Sequence, residues 1–215
     1  YTSTPTFAMQ ELYTNYVQAL LQGDRRRCQE IITHLSDQEM DIRAIYLDFF
    51  QKSLYQVGEL WETNQISVAT EHMATAITEG LLALLYPRLF SAYHNDKTAI
   101  VSCCANEYHQ IGGKMVADIF ELNGWDAHFL GANTPINDLL HFTQEHQPDV
   151  VALSLSLYSN LPKLLETTRI IRGNFSDLHI IFGGQAFRWG GESDMSKIAR
   201  TQFITSLDTL EDSIR

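Results

Sequence analysis

The chain has 215 residues and a formal charge of -11, from 26 acidic against 15 basic side chains, so its surface should repel phosphate backbones and direct nucleic-acid binding is not expected. No run approaches the ~20 apolar residues of a membrane span and no signal peptide is visible, which sets the expectation of a cytoplasmic protein. Cys28, Cys103 and Cys104 lie in apolar runs, as free thiols of a reducing compartment would, and no disulfide is expected.

Residues 1–92 show almost no strand-like alternation and read as an all-helical domain. Phe7, Leu12, Tyr16, Val17 and Leu20-Leu21 form one apolar stripe, closed near Gly23. Asp24 is placed to cap a second helix carrying Cys28 and Ile31-Ile32, and the Arg25-Arg26-Arg27 run at its start reads as solvated helix surface. A third helix is expected from about Met40 to Trp61, and a fourth from Val68 to Phe90, halted around Pro87. Four antiparallel helices of this length make a bundle. The polar stretch from Ala92 to Lys97 is the expected linker.

From residue 97 to 215 the pattern changes to short apolar runs separated by helical segments. Ala99–Cys103, Asp126–Leu130, Val150–Leu155, His179–Phe182 and a last run near Gln202–Ile204 read as strands. Met115, Ile119 and Leu122 mark an intervening helix, as do Leu139-Leu140 with Phe142, and Leu161, Leu164-Leu165 and Ile170-Ile171. Leu207 opens a short acidic helix. Alternating β and α with right-handed crossovers gives a five-stranded parallel sheet of flavodoxin or Rossmann-like order.

Three short signals stand at the expected carboxyl ends of these strands, where open α/β sheets bind ligands. Glu107-Tyr108-His109-Gln110-Ile111-Gly112 follows the first strand. Forty-one residues then separate Gly112 from Ser154, and twenty-six separate Ser156 from Gly183-Gly184. Singly, each has an ordinary explanation: a capping or solvated histidine, a serine ending a strand, a tight glycine turn. Their joint spacing resembles the cobalamin-binding pattern of the corrinoid-protein superfamily, Asp-x-His-x-x-Gly, then Ser-x-Leu, then Gly-Gly. The resemblance implies that His109 is the lower axial ligand of cobalt, with the corrin base-off, and that Glu107 orients the imidazole. Neutral imidazole is a good transition-metal ligand, and a carboxylate on its other nitrogen fixes the tautomer. Gly112, Gly183 and Gly184 would leave room for the displaced nucleotide tail, and the hydroxyl of Ser154 would reach its base, with Ser156 in the same motif.

The helical half carries a second signal, Trp61 followed after nine residues by Glu71-His72. It resembles the Trp-x9-Glu-His signature of the light-sensing, adenosylcobalamin-binding branch, whose helical bundle caps the upper corrin face. There the tryptophan packs by the adenosyl group and the Glu-His pair helps hold it; a wide indole can shield a weak cobalt-carbon bond, and a carboxylate can accept ribose or adenine hydrogen bonds. Three positions depart from the patterns. Glu107 replaces aspartate, as it does in the light-sensing branch; Ser156 replaces leucine; and Glu62 stands where well-studied light sensors have a second, cobalt-capturing histidine.

The expected function is a photoreceptor-type module that binds adenosylcobalamin and answers light-driven Co–C cleavage by changing shape or assembly, regulating an output such as transcription. A homo-oligomer, or a separate or upstream output domain, is the expected partner. The alternative is a corrinoid shuttle of a methyltransferase system, for which methylcobalamin would be the form carried; a third reading is a module that has lost cobalamin. No zinc or iron-sulfur cysteine spacing, phosphate-cradling loop or Gly-x-Ser-x-Gly is present, and no enzymatic activity of its own is expected.

Overall fold

The computed structural model describes residues 7–90 and 93–215. These divide into two compact units, one ending at Arg88 and the other starting at Leu89. The expected linker start and domain limit at Ala92 lie outside the described residues.

The first unit is helical: α1 (Phe7–Gln22), α2 (Arg25–Asp37), α3 (Ile42–Ile45), α4 (Lys52–Glu62) and α5 (Val68–Leu84). α3 and α4 form one continuous rod through a wider π-helical stretch, Tyr46–Gln51, that puts Tyr46, Phe49 and Phe50 in the core. Tyr16 of α1 meets Phe49 edge-on at 5.7 Å between ring centres. Side-chain caps start three of the helices: Asp24 accepts from Arg27 N–H, Asp41 from Arg43 N–H and Ser67 from Thr70 N–H, each satisfying an otherwise orphan donor. Two expectations are corrected. Phe7 stands outside the apolar stripe, 88 % exposed, and Tyr13 is buried on that helix instead. α5 stops at Leu84, with a single 3-10 turn at Tyr86–Arg88, rather than running to Phe90. Pro87 supplies no N–H and disfavours α geometry at Tyr86, so the α-helix ends ahead of it. Arg88 then ties back to α2 and the next turn, donating to Ser36 Oγ at 3.2 Å and Met40 O at 2.8 Å.

The second unit is an all-parallel five-stranded sheet in the order β2-β1-β3-β4-β5, made of β1 (Thr98–Cys103), β2 (Asp126–Phe129), β3 (Val150–Ser154), β4 (His179–Gly183) and β5 (Thr201–Ile204). α6 (Ile111–Leu122), α7 (Ile136–His146), α8 (Leu161–Asn174), the short α9 (Glu192–Met195) and α10 (Leu207–Ile214) provide or follow the crossovers. Every residue of β3 is buried, and Ile100, Val151, Leu153, Ile180 and Phe182 form the middle of the core. Such continuous apolar runs are what a strand covered on both faces requires. The strand order reverses between β1 and β3, and ligands of open α/β sheets bind beyond the carboxyl ends of strands at such a switch point. Register aligns Cys103 with Ser154 and Ser154 with Gly183, which brings the three strand ends level.

Among the described residues, no helix is long and apolar enough to cross a membrane. The three cysteines are free and buried.

Candidate functional site

The loop after β1 is organised by one carboxylate. Glu107 is fully buried, and both its oxygens are claimed. Oε1 accepts from the backbone N–H of His109 at 3.1 Å and stands 2.7 Å from His109 Nδ1. Oε2 accepts from the backbone N–H of Ser156 and of Leu157, each at 3.0 Å, and from Asn160 Nδ2 at 3.4 Å. Burial pushes the Glu107 pKa up, but the His109 ring and the Leu157, His109 and Ser156 N–H groups more than offset it and hold it at about 2. The carboxylate is therefore ionised at neutral pH. An ionised partner makes Nδ1 the donor nitrogen of His109, which puts the lone pair on Nε2, the form a metal ligand needs. The imidazole is half exposed while its orienting acid is sealed from water.

Glu107 also joins two motifs that are far apart in sequence. Ser156 takes part through its peptide N–H, and a peptide N–H is the same in serine and leucine; the departure at the third position of the serine motif thus costs this contact nothing. Ser154, the last residue of β3, is 8 % exposed. It faces Gly112, where an added Cβ would sit 3.7 Å from Ser154 Oγ and meet nothing else within 4 Å. Gly112 is thus a place where the fold leaves room, with the Ser154 hydroxyl beside it, and together they fit an inserted group that carries a hydrogen-bonding atom.

Gly183 and Gly184 have a different reason to be glycine. A Cβ on Gly183 would lie 2.7 Å from the Ile204 carbonyl oxygen, and one on Gly184, whose φ is +122°, would run into the Leu155 carbonyl. Backbone packing at the ends of β3, β4 and β5 demands both residues whether or not a ligand enters. The thiols nearby are inert: burial first, then the charge of Glu107, pushes Cys103 up to about 12 and Cys104 up to about 11.

Several residues of this site had no motif to announce them. Asn160 reaches Glu107 and also donates to the Asn106 carbonyl at 3.1 Å. Asn133, on the loop after β2, accepts from Asn106 N–H at 2.8 Å and donates its own N–H to Glu107 O at 2.8 Å. The only sequence hint was turn chemistry, an asparagine two residues before Pro135. Tyr108, Leu157, Tyr158 and Trp189 stand exposed on the loops leaving β1, β3 and β4. Exposed apolar side chains at the carboxyl edge of a sheet suit the underside of a flat, largely apolar ligand.

In the helical unit, Trp61 lies on the last turn of α4, 44 % exposed. Glu71 and His72 occupy the first two turns of α5, which packs against α4. Glu71 is the more covered of the two, accepts from Thr75 Oγ1 at 3.0 Å and stands 3.5 Å from His72 Nε2. The indole is thus left open to solvent at a helix end, beside a helix that carries the Glu71 carboxylate. A polar groove on α2, lined by Arg26, Gln29, Glu30, Thr33, His34 and Asp37, shares none of these residues.

Both units are similar to parts of known proteins. Residues 97–197 match one B12 binding domain model and residues 12–86 another. The HTH-type transcriptional repressor CarA of Myxococcus xanthus is 32 % identical over 137 residues, 62 % of this chain and 43 % of the repressor. The chain therefore spans less than half the length of that relative. Dimethylamine corrinoid protein 1 of Methanosarcina acetivorans is 24 % identical, over 68 % of this chain and 70 % of its own. In fold, the monomethylamine corrinoid protein of Methanosarcina barkeri superposes with a TM-score of 0.83 at 14 % identity, covering 95 % of this chain and 97 % of that one.

Proposed function

Since the chain belongs to the B12-binding proteins, we propose that it is the cobalamin-holding part of a light-responsive regulator, with adenosylcobalamin as its ligand. The observation that carries the cobalt assignment is the buried Glu107 carboxylate, 2.7 Å from Nδ1 of a half-exposed His109. His109 Nε2 would hold the cobalt, while Glu107 keeps the tautomer and Ser156 and Leu157 keep Glu107. Ser154, beside Gly112, would offer its hydroxyl to the nucleotide tail, while Gly183 and Gly184 shape the strand ends. When bound, adenosylcobalamin supplies a cobalt-carbon bond that light can break. Trp61, Glu71 and His72 serve the adenosyl group and so link that event to the helical unit. The chain acts by binding and releasing a packing partner rather than by turning over a substrate.

The regulator reading is supported by the resemblance to CarA and by the Trp61, Glu71 and His72 signature. A second reading, a corrinoid carrier that presents cobalt to partner enzymes, is favoured by the similarity to dimethylamine corrinoid protein 1 and by Glu62, which occupies the position of the second histidine. Titration with adenosylcobalamin and, separately, methylcobalamin in the dark separates the two. The regulator holds the adenosyl form more tightly and gives a base-off, histidine-ligated spectrum that His109→Ala abolishes. Equal affinity for both forms supports the carrier, and an unchanged spectrum in His109→Ala contradicts the ligand assignment.

A further inference from the structure

Three loops meet around Glu107, and three asparagines stitch them. Asn106 precedes the carboxylate and has φ +70°; Asn133, on the loop after β2, has φ +52°. Left-handed backbone costs most residues roughly 1 kcal/mol or more, and asparagine is among the few side chains that tolerate it. Asn133 uses that conformation to grip the β1 loop twice. Its Oδ1 accepts from Asn106 N–H at 2.8 Å and its own N–H donates to Glu107 O at 2.8 Å. The same stretch is anchored to β1 by Cys103 N–H to Gly131 O at 3.1 Å and Thr134 N–H to Cys103 O at 3.3 Å. The peptide groups on both sides of Asn106 are thereby fixed from the neighbouring loops, since Asn160 holds the Asn106 carbonyl.

We propose that Asn133 is a positioning residue for the cobalt ligand: by holding Asn106 and Glu107 from the β2 loop, it sets the direction in which His109 is presented. This rests on the cobalamin reading of the site. Asn133 acts through the backbone that carries the imidazole and the Glu107 carboxylate. A ligand side chain loosened by its support loses affinity even when its own chemistry is intact.

The test uses the whole chain labelled with 15N-histidine, loaded with cob(II)alamin, and reads the nitrogen hyperfine coupling in the electron paramagnetic resonance spectrum, with the dissociation constant for adenosylcobalamin and the thermal midpoint alongside. Asn133→Gly keeps the left-handed backbone and the N–H to Glu107 but removes the acceptor for Asn106; Asn133→Asp keeps that acceptor. The glycine variant is expected to hold its thermal midpoint, to lose a large part of the 15N-histidine coupling and to bind roughly tenfold more weakly, and the aspartate variant to restore both. Wild-type coupling and affinity in the glycine variant would overturn the proposal, as would a fall in all three readouts that aspartate fails to rescue, which marks a structural role only. Absence of histidine coupling in the wild type would overturn the cobalamin reading itself, and is seen before any variant is made.

Discussion

At the residue scale the site is an ionised acid placed where water cannot reach it. Burial pushes its pKa up, but the His109 ring and the Leu157, His109 and Ser156 N–H groups outweigh burial and bring it from the ordinary 4.5 down to about 2. A depressed pKa means stability that is complete above the unfolded value and lost as pH falls from about 4.5 towards 2. The difference is worth on the order of 3 kcal/mol. Urea midpoints of the ligand-free chain between pH 6 and 2.5 should therefore drop steeply in wild type. Glu107→Gln should be less stable at pH 6 and show a flatter acid limb; equal slopes would remove Glu107 from the account. Half of this was legible beforehand. The Glu107-Tyr108-His109 spacing pointed to an oriented imidazole, but the donors from Ser156, Leu157 and Asn160 are contacts across about fifty residues of sequence, and backbone donors leave no side-chain signature.

At the scale of elements, the glycines separate into two kinds that look alike in sequence. Gly112 lies in the first turn of α6, where an added Cβ would make only an ordinary 3.7 Å contact with Ser154 Oγ; Gly184 lies between β4 and a 3-10 turn in a conformation that side chains rarely adopt. Gly112→Ala should leave the fold intact and raise stability by about 0.5–1 kcal/mol through helix propensity, while weakening cobalamin binding. Gly184→Ala should destabilise by several kcal/mol, since the clash is with backbone. Paired melting curves and corrinoid titrations check both. A Gly112→Ala chain with undiminished binding would show that nothing enters beside Ser154. The strands and their order were readable from apolar runs and intervening helical periods, because β1, β3 and β4 are covered on both faces. The end of α5 was misplaced because Leu85, Tyr86, Leu89 and Phe90 keep an apolar pattern past the point where Pro87 breaks the hydrogen bonding.

At the scale of the whole molecule, the two motif sets fall in different units: Trp61, Glu71 and His72 in the helical one, Glu107, His109 and Ser154 in the sheet one. A regulator needs the first set to report on the upper ligand. Trp61→Ala is expected to keep binding cobalamin while losing most of its preference for the adenosyl over the methyl form; an unchanged preference, from competitive titration, would count against that division of labour. Glu62 bears on the illuminated state. A carboxylate in place of the second histidine should leave the lit form without two histidine ligands to cobalt, and the visible spectrum of the illuminated chain, compared with that of Glu62→His, reads this directly. The motif spacing made the two residue sets visible in the sequence, whereas the choice between regulator and carrier turns on how the helical unit answers the ligand.

The most direct test is size-exclusion chromatography of the chain with adenosylcobalamin, kept dark or exposed to green light, with the visible spectrum recorded across the eluting peak. A light-responsive regulator gives a dark adenosylcobalamin spectrum that converts on illumination, together with a shift in elution volume. Conversion of the spectrum with elution unchanged would contradict the regulatory claim and leave a cobalamin carrier.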